Sequence, residues 1–245
     1  MATLSRPETR NAIDVGMIDE LHDLCTELER RPRLLVVTGT GPVFAAGADL
    51  RQMRERTPED ALRGINSGLF ERLAALPMPT VAALNGPAFG AGAELAYACD
   101  FRLATPTVRI GNPEVSLGVI PGAGAAWRLR QLVGLSLTRQ MLLAGRILDA
   151  DESLAAGLVD EVVADGDLEA AVGRWVDRLE QGAPLALRLT KLALAAPDGA
   201  HPRFDDVAQA VLFGSDEKWE RMTAVLERRR PAAGARPPAE DAAGR

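Results

Sequence analysis

The chain has 245 residues, of which 47% are hydrophobic and 25% charged, and this composition fits one large globular domain or one domain with a small appendage. The 28 basic and 34 acidic residues leave a formal net charge of −6, so a nucleic-acid partner is not expected. Two histidines, and two cysteines without a CxxC spacing, argue against a metal site, a disulfide framework and a histidine-based nucleophile. Any chemistry therefore falls to carboxylates, arginines and backbone amides.

Features of compartment and targeting are sparse in this sequence. No apolar run approaches the roughly twenty residues that a membrane-spanning helix requires. The opening sequence MATLSRPETRNAID lacks the basic-then-apolar order of a secretory signal, and the few cysteines fit a reducing compartment. These features predict a cytoplasmic protein without a membrane partner.

The first half of the chain alternates apolar runs, glycine-rich loops and helical patterns. Asp14 is typical of a helix N-cap, and apolar residues then recur at steps of three and four through Leu28. Residues 34–38 and 80–84 are continuous apolar runs of the kind that form buried parallel strands. Further predicted elements are a helix over 61–75, a small-residue helix after Gly92, and strands at 101–104 and 108–110. The repetition predicts βαβ units and a largely parallel sheet.

The second half of the chain is mainly helical in pattern. Apolar residues between Val172 and Leu179 recur with helical spacing, and Pro184 suits the first position of another helix. The predicted divisions are a core over 1–185, a C-terminal helical region over 186–230 and a disordered tail over 231–245. Because the C-terminal helices add little to a sheet core, we expect them to form a helical subdomain or an oligomer contact.

Two loops of small residues follow the predicted strands. The first is VFAAGADL, residues 43–50, and the second contains Gly90, Ala91 and Gly92 and opens a helix. Small side chains leave backbone amides unobstructed, so two such loops can direct two N–H groups at one carbonyl oxygen, as in an oxyanion hole. Tight packing is the alternative explanation, and for either loop alone it is the better one.

Two glutamates lie beside these loops in apolar surroundings. Glu94 is within GAGAELAYA, and Glu114 precedes Val115 in a second apolar segment. Glutamate is seldom buried unless it is paired or functional, and burial raises a carboxyl pKa towards neutrality, as acid–base catalysis requires. The alternative is that each caps a helix or pairs with an arginine, with Arg109 and Arg128 as candidate partners. Spacing alone does not decide between these roles.

Five segments together resemble a known family: RPETRNAID, VVTGTGPVFAAGADLRQM, AALNGPAFGAGAELAYACDFRLAT, GNPEVSLGVIPGAGAAWRLRQLVG and GRILDADESLAAGLVDEVV. From Leu4 to Glu227 the sequence resembles the crotonase (enoyl-CoA hydratase/isomerase) superfamily, with every core motif in order. The resemblance implies an α/β fold, a crotonase (ClpP-like) spiral of ββα repeats with a helical C-terminal trimerisation region. It also implies an acyl-CoA substrate, a homotrimer or dimer of trimers (a hexamer), and no cofactor, since coenzyme A is part of the substrate.

The resemblance implies a role for each residue singled out above. The backbone N–H groups of Ala48 and Ala91 would form the oxyanion hole for the thioester oxygen, with alanine at 91 where the family usually has glycine. Glu114 would give a proton to the α-carbon, and Glu94 would position the water. The implied reaction is syn addition of water across the 2,3 double bond of a trans-2-enoyl-CoA, in fatty acid metabolism.

The resemblance also assigns residues to the binding of substrate and coenzyme A. Arg51 would face the CoA phosphates, which a guanidinium binds well, and the AAGAD loop with the residues around Arg10 would line the adenosine end. The set implied for substrate and CoA binding is Arg10, Ala46, Asp49, Leu50, Arg51, Phe89, Gly90, Pro113, Leu117 and Gly118.

Other activities are weighed by what the sequence keeps and lacks. Dienoyl-CoA isomerases and haloaromatic-CoA dehalogenases carry an aspartate at the position of Gly122, so glycine there counts against both. An enoyl-CoA isomerase often uses only the glutamate at the position of Glu114, so Glu94 favours hydration, with isomerisation, decarboxylation or a biosynthetic dehydration as alternatives. A non-catalytic acyl-CoA-binding or RNA-binding relative is disfavoured by the acidic composition and the intact glutamate pair.

The sequence departs from the family pattern at three places. The strand that the family has before its RPxxxNA motif is expected to be missing here. The C-terminal pattern is altered, with Val225 in place of a phenylalanine, which affects CoA or trimer contacts. Trp127 replaces a smaller or polar residue, and we expect it in the core, the alternative being that it narrows the acyl pocket.

Overall fold

The computed structural model describes residues 1–228. Its strands are β1 (Ala2–Leu4), β2 (Leu35–Gly39), β3 (Thr80–Leu84), β4 (Ala88–Phe89), β5 (Phe101–Ala104), β6 (Ile110–Gly111) and β7 (Glu161–Val162). Its helices are α1 (Val15–Arg30), α2 (Leu50–Arg54), α3 (Pro58–Leu62), α4 (Ile65–Ala74), α5 (Ala91–Ala98), α6 (Ala125–Leu143), α7 (Ala150–Ala155), α8 (Leu168–Glu180), α9 (Pro184–Ala195), α10 (Arg203–Phe213) and α11 (Asp216–Arg228). Short 3-10 turns lie at Pro7–Thr9, Glu114–Leu117 and Asp198–Ala200.

Five strands form one parallel sheet in the order β1-β2-β3-β5-β7. The expectation that the strand before the RPxxxNA motif is missing is wrong, because β1 pairs with β2 and places Leu4 opposite Gly39. β1 has three residues, which is at the lower end of the usual length of strands. The Leu4 side chain is buried, and its carbonyl accepts the Thr40 N–H (2.9 Å).

The central strands are buried on both faces. Successive side chains point to opposite sides of a strand, so Val37 and Ala82 pack into the main core, whereas Val36 and Val81 pack against α8. A sheet covered on both faces requires continuous apolar runs. This explains why β3 and β5 have the bounds predicted from the sequence and β2 is shifted by only one residue.

The helix predicted over 61–75 is instead two helices. Gly64 has φ 63°, in the left-handed region, and separates α3 from α4. Glycine adopts this conformation without the steric cost of a Cβ. Helix α3 has its own N-terminal capping box, in which Thr57 and Asp60 satisfy each other's backbone N–H groups.

The chain divides into two compact units, residues 1–191 and a second unit that begins at Leu192 and contains α10 and α11. This division and the predicted boundary between residues 185 and 186 both lie within α9. The tail predicted over 231–245 lies outside the described residues. Among residues 1–228, no helix has the length and apolar character needed to cross a membrane.

A second, two-stranded parallel sheet of β4 and β6 brings three loops together. Strand β4 leads through Gly90 into α5, and β6 leads into the turn that begins at Glu114. The Gly90 N–H donates to the Gly111 carbonyl (3.0 Å), and the Phe89 N–H donates to the Ala45 carbonyl in the loop after β2 (3.0 Å). Segments distant in the sequence are therefore held side by side.

Candidate active site

A cavity of about 1010 Å³ lies where the loop after β2, the start of α5 and the turn after β6 meet. Most of the site residues predicted from the sequence line it: Ala46, Ala48, Leu50, Phe89, Gly90, Ala91, Glu94, Pro113, Glu114, Leu117 and Gly118. Much of the remaining wall comes from residues 53–67 and 119–123. Both glutamates and both predicted oxyanion amides therefore belong to one cavity.

Three predicted site residues do not line this cavity. Arg10 is exposed, and its carbonyl accepts the N–H of Ala46 in the cavity wall (3.0 Å). Asp49 caps the N-terminus of α2 and pairs with Arg6 (3.2 Å). Arg51 lines a second, smaller depression. Their contact with coenzyme A stays a prediction.

Ala48 and Ala91 each follow a glycine with positive φ, which is 118° at Gly47 and 52° at Gly90. The two loops touch, since a Cβ on Gly47 would lie 3.3 Å from the Phe89 carbonyl oxygen. Among residues 1–228, neither the Ala48 nor the Ala91 N–H donates a hydrogen bond. For Ala91 the reason is its place as the first residue of α5, where N–H groups lack an intrahelical acceptor. Two unpaired amides at one cavity wall are what an oxyanion hole requires.

Glu94 lies in the first turn of α5 and is 3% exposed. Its Oε1 accepts the N–H groups of Ala123 (2.7 Å) and Ala125 (3.1 Å) at the start of α6. Burial raises the pKa of Glu94 to about 7; the two N–H groups oppose the rise, Glu114 adds to it, and Arg128 opposes it. No residue in 1–228 donates to Oε2. One oxygen is thus fixed and the other is left for a ligand.

Glu114 begins the 3-10 turn after β6 and is 8% exposed. Its Oε1 accepts a hydrogen bond from Asn112 Nδ2 (3.2 Å), and its buried Oε2 has no partner among the described residues. Burial raises the pKa of Glu114, while its own backbone N–H and the Asn112 amide oppose the rise. A Cβ at Gly90 would lie 3.1 Å from Oε1, so glycine at 90 permits this close approach.

Comparison with known proteins identifies the family to which this arrangement belongs. The family model described as enoyl-CoA hydratase/isomerase matches residues 1–232. The chain is a member of that family. It is 34% identical over 239 residues to a short-chain-enoyl-CoA hydratase of Clostridium acetobutylicum, covering 94% of this chain and 92% of the relative. It is also 34% identical over 245 residues to an enoyl-CoA isomerase/hydratase of Mycosarcoma maydis, covering 93% and 89%.

Solved structures of the enoyl-CoA hydratase/isomerase family agree with the fold. The crystal structure of an enoyl-CoA hydratase from Bacillus anthracis matches with a TM-score of 0.88 at 30% identity, covering 94% of this chain and 92% of that chain. The predicted crotonase superfamily and the predicted fold class are therefore confirmed. Because the relatives are named as hydratases, the prediction of an enzyme of the hydro-lyase class is confirmed as well.

The arginines proposed as alternative partners of the glutamates have other roles. Arg128 is buried at α6, where it pairs with Glu71 (3.1 Å) and donates to the Ala123 carbonyl (3.0 Å). Arg109 is exposed. Within residues 1–228 neither arginine forms an ion pair with Glu94 or Glu114, so arginine pairing is wrong for both glutamates. The other alternative, that the glutamate caps a helix, is correct for Glu94, because its carboxyl accepts the N–H of Ala125, the first residue of α6. The same carboxyl also lines the cavity.

Two positions singled out in the sequence, Gly122 and Trp127, differ in their surroundings. Gly122 lines the cavity, and a Cβ there would meet nothing closer than the Ile120 carbonyl oxygen at 3.8 Å. Trp127 is 44% exposed and does not line the cavity, so both expectations for it are wrong. Its ring instead lies beside the Arg128 guanidinium, 5.1 Å from the ring centroid.

Two buried residues near the site were not identified from the sequence. Tyr97 hydrogen-bonds to Asn112 (3.1 Å), and Asn112 hydrogen-bonds to Glu114. The signal for Tyr97 was its position three residues after Glu94, which is nearly one helical turn and indicates a nearby face of α5. Asn112 has no such periodic signal, because its contacts are tertiary.

Proposed function

We propose that the protein is an enoyl-CoA hydratase that adds water syn across the 2,3 double bond of a trans-2-enoyl-CoA. The observation that carries this proposal is the presence, in one cavity, of two buried carboxyl groups and two backbone amides that donate to no residue in 1–228. Each carboxyl has one oxygen held by protein donors and one that accepts nothing from residues 1–228. This supports a site that holds a water and a thioester together.

The amides of Ala48 and Ala91 bind the thioester oxygen in this mechanism. Because the thioester carbonyl is conjugated with the double bond, addition of water at C3 moves negative charge to the carbonyl oxygen. Fixed N–H donors stabilise that developing charge more than they stabilise the neutral substrate. The position of Ala91 at the N-terminus of α5 adds the positive end of the helix dipole.

Glu94 and Glu114 divide the two proton transfers. Glu94, with a pKa of about 7, orients the water and takes its proton as the oxygen bonds to C3. Glu114, with a raised pKa, gives a proton to C2 on the same face of the substrate. One proton is accepted and one is donated, so the substrate gains the elements of one water. The two carboxyls titrate as a pair, and their roles are coupled.

The acyl chain and the coenzyme A part of the substrate are assigned to surfaces of matching polarity. The acyl chain occupies the apolar part of the cavity, lined by Met53, Ile65, Leu117, Val119, Ile120 and Ile147. The CoA phosphates are assigned to Arg51, and the adenosine end to the surface near Arg10 and Asp49. The proposed reaction uses no cofactor besides the coenzyme A of the substrate.

Hydration of crotonyl-CoA, followed by the loss of enoyl-thioester absorbance, tests the proposal. The wild-type protein is expected to turn over this substrate, and Glu114→Gln purified in parallel controls for host hydratases. NMR of the product formed in deuterium oxide reports whether addition is syn. Conversion of a 3-enoyl-CoA to its 2-enoyl isomer without hydration would favour an isomerase, the activity also named for one relative. No turnover of either substrate by folded protein would contradict both.

A further inference from the structure

A buried chain of hydrogen bonds connects Tyr97 on α5 to Glu114 and to the Gly90 carbonyl. The Tyr97 hydroxyl donates to Asn112 Oδ1 (3.1 Å). Asn112 Nδ2 donates to Glu114 Oε1 (3.2 Å) and to the Gly90 carbonyl (3.4 Å). Tyr97 and Asn112 are both buried, and neither lines the cavity. They can therefore act on a bound substrate only through other residues.

The partners of Asn112 determine which end of its amide faces Glu114. The Gly90 carbonyl oxygen can only accept a hydrogen bond, so the amide turns its NH2 group towards that oxygen and therefore also towards Glu114 Oε1. Oδ1 then faces Tyr97, whose hydroxyl must be the donor. Burial raises the pKa of Tyr97 well above its ordinary value, so the hydroxyl keeps its proton at neutral pH.

The Gly90 carbonyl belongs to the same peptide group as the Ala91 N–H. Its oxygen accepts from the Glu94 N–H (2.9 Å) as well as from Asn112. Hydrogen bonds in a chain polarise one another, so a peptide that accepts at its oxygen is a better donor at its nitrogen. One side-chain amide thus contacts the Glu114 carboxyl and the peptide that supplies an oxyanion donor.

We propose that Tyr97 and Asn112 are positioning residues: Tyr97 orients the Asn112 amide, and Asn112 orients both the Glu114 carboxyl and the Gly90–Ala91 peptide. This inference rests on the proposed function, which gives Glu114 a proton transfer and gives the Ala91 N–H the thioester oxygen. It gives a role in the proposed hydration to two residues to which the resemblance assigned none.

Two substitutions test these hydrogen bonds, one at Asn112 and one at Tyr97. Asn112→Leu keeps the branching and the number of heavy atoms of the side chain and removes all of the side-chain hydrogen bonds, so kcat for crotonyl-CoA should fall on the order of tenfold. Tyr97→Phe removes only the hydroxyl and should lower kcat roughly threefold, because the amide stays but is less fixed. KM should change little in either variant, since the lost interactions act in the transition state.

The double variant tests whether Tyr97 acts through Asn112. Tyr97→Phe combined with Asn112→Leu should be no slower than Asn112→Leu alone, whereas effects that multiply would overturn the proposed order. Thr138→Val is the matched control, because it removes a buried hydroxyl that donates to the Gly134 carbonyl (2.7 Å) within α6. It should lower stability and leave kcat unchanged.

A carbon-13 NMR titration of the glutamate carboxyls separates this proposal from the proposed function. The Glu114 resonance, assigned by its loss in Glu114→Gln, should titrate at higher pH in Asn112→Leu, because the amide stabilises the carboxylate. Its titratable neighbours Glu94 and Tyr97 are unchanged in that variant, and Thr138→Val should leave the titration as in wild type. Tyr97→Phe should show a smaller shift in the same direction, which provides a second measurement if Asn112→Leu does not fold.

The outcomes distinguish the two proposals. A shifted Glu114 titration in a protein that does not hydrate crotonyl-CoA would retain the positioning pair and overturn the hydratase assignment. An active wild-type enzyme whose Glu114 titration and kcat are both unchanged in Tyr97→Phe and Asn112→Leu would retain the hydratase and overturn the positioning pair.

Discussion

Glu94 and Glu114 each keep one oxygen on protein donors and leave the other for the reactants. Glutamine keeps the shape of the side chain but cannot exchange a proton, so Glu114→Gln should lower hydration by a factor on the order of 10² to 10⁴. Glu94→Gln should cause a loss of similar order, and the double variant should be far from additive because the pair acts as a unit. Calorimetric binding of butyryl-CoA, a saturated analogue, should change little. Near-full activity of Glu114→Gln would show that the proton assignment is wrong.

Glu94 also makes the stability of the folded protein depend on pH. Folding raises its pKa from 4.5 to about 7, so the folded state binds this proton more tightly than the unfolded state does. Its contribution to stability is therefore complete below the unfolded pKa and is lost as the pH rises through the folded pKa.

The expected consequence is a pH-dependent stabilisation by Glu94→Gln, whose amide oxygen can still accept from Ala123 and Ala125. This variant should exceed the wild type in free energy of unfolding by at most about 3 kcal/mol above neutral pH, and by little near pH ~4.5. Urea unfolding at both pH values measures the difference. An equal gain at both would mean that the carboxyl is not desolvated as the structure indicates.

Helix α5 allows one oxyanion donor to be removed without disturbing the helix. Ala91 is its first residue, a position that tolerates proline because the N–H there has no intrahelical partner. Ala91→Pro should therefore lower kcat on the order of 10² to 10³, the cost of one lost donor, while a thermal melt stays close to that of wild type. Ala91→Gly restores the residue that is usual in the family and should remain within a few-fold of wild type. A folded Ala91→Gly variant as slow as Ala91→Pro would assign a role to the alanine methyl group instead.

Helices α4 and α6 are joined at the site by Arg128. Its guanidinium donates to the Ala123 carbonyl (3.0 Å), the Phe70 carbonyl (3.4 Å) and Glu71 (3.1 Å). Arg128→Met leaves the two buried carbonyls without this donor, so we expect a loss of roughly 2 to 3 kcal/mol in the free energy of unfolding. Glu71→Gln changes only the exposed partner and should cost less than about 1 kcal/mol. Equal losses in urea unfolding would indicate that the ion pair, and not the carbonyl contacts, joins these helices.

The elements that the sequence predicted well are those with a local cause. β3 and β5 have the predicted bounds because a strand buried on both faces needs a continuous apolar run. The helix over 61–75 was predicted as one because its periodicity continues past Gly64, whose positive φ the pattern does not reveal. Trp127 was expected in the core because it is large and aromatic, whereas packing against neighbouring elements decides which side of α6 is exposed.

Across the whole molecule, the residues that line the cavity could be predicted from the sequence, whereas the hydrogen bonds behind them could not. The small-residue loops and the two glutamates were predicted because each forms a recognisable local pattern in the sequence. The Tyr97–Asn112 bond and the Arg128–Glu71 pair join residues 15 and 57 positions apart. Such contacts depend on how β4 and β6 bring their loops together and how α4 packs near α6, and no local pattern encodes that approach.

The C-terminal helices α10 and α11 have several large apolar side chains that are exposed to solvent. Those exposed in the single chain include Val207, Val211, Phe213, Trp219, Met222 and Leu226. Exposed apolar patches of this kind mark association surfaces. Together with the family resemblance, they lead us to propose a homotrimer or a dimer of trimers.

Light scattering at micromolar concentration should therefore give a mass three or six times the 26.1 kDa of one chain. Replacing Phe213 and Trp219 together by glutamate places charge on this surface, which is costly to bury, so the variant should dissociate towards monomers. Leu62→Glu is the matched control, because Leu62 is also exposed but lies on α3, and it should keep the wild-type mass. A wild-type protein that is a stable monomer would contradict the trimer and would direct attention to the altered C-terminal pattern, in which Val225 replaces phenylalanine.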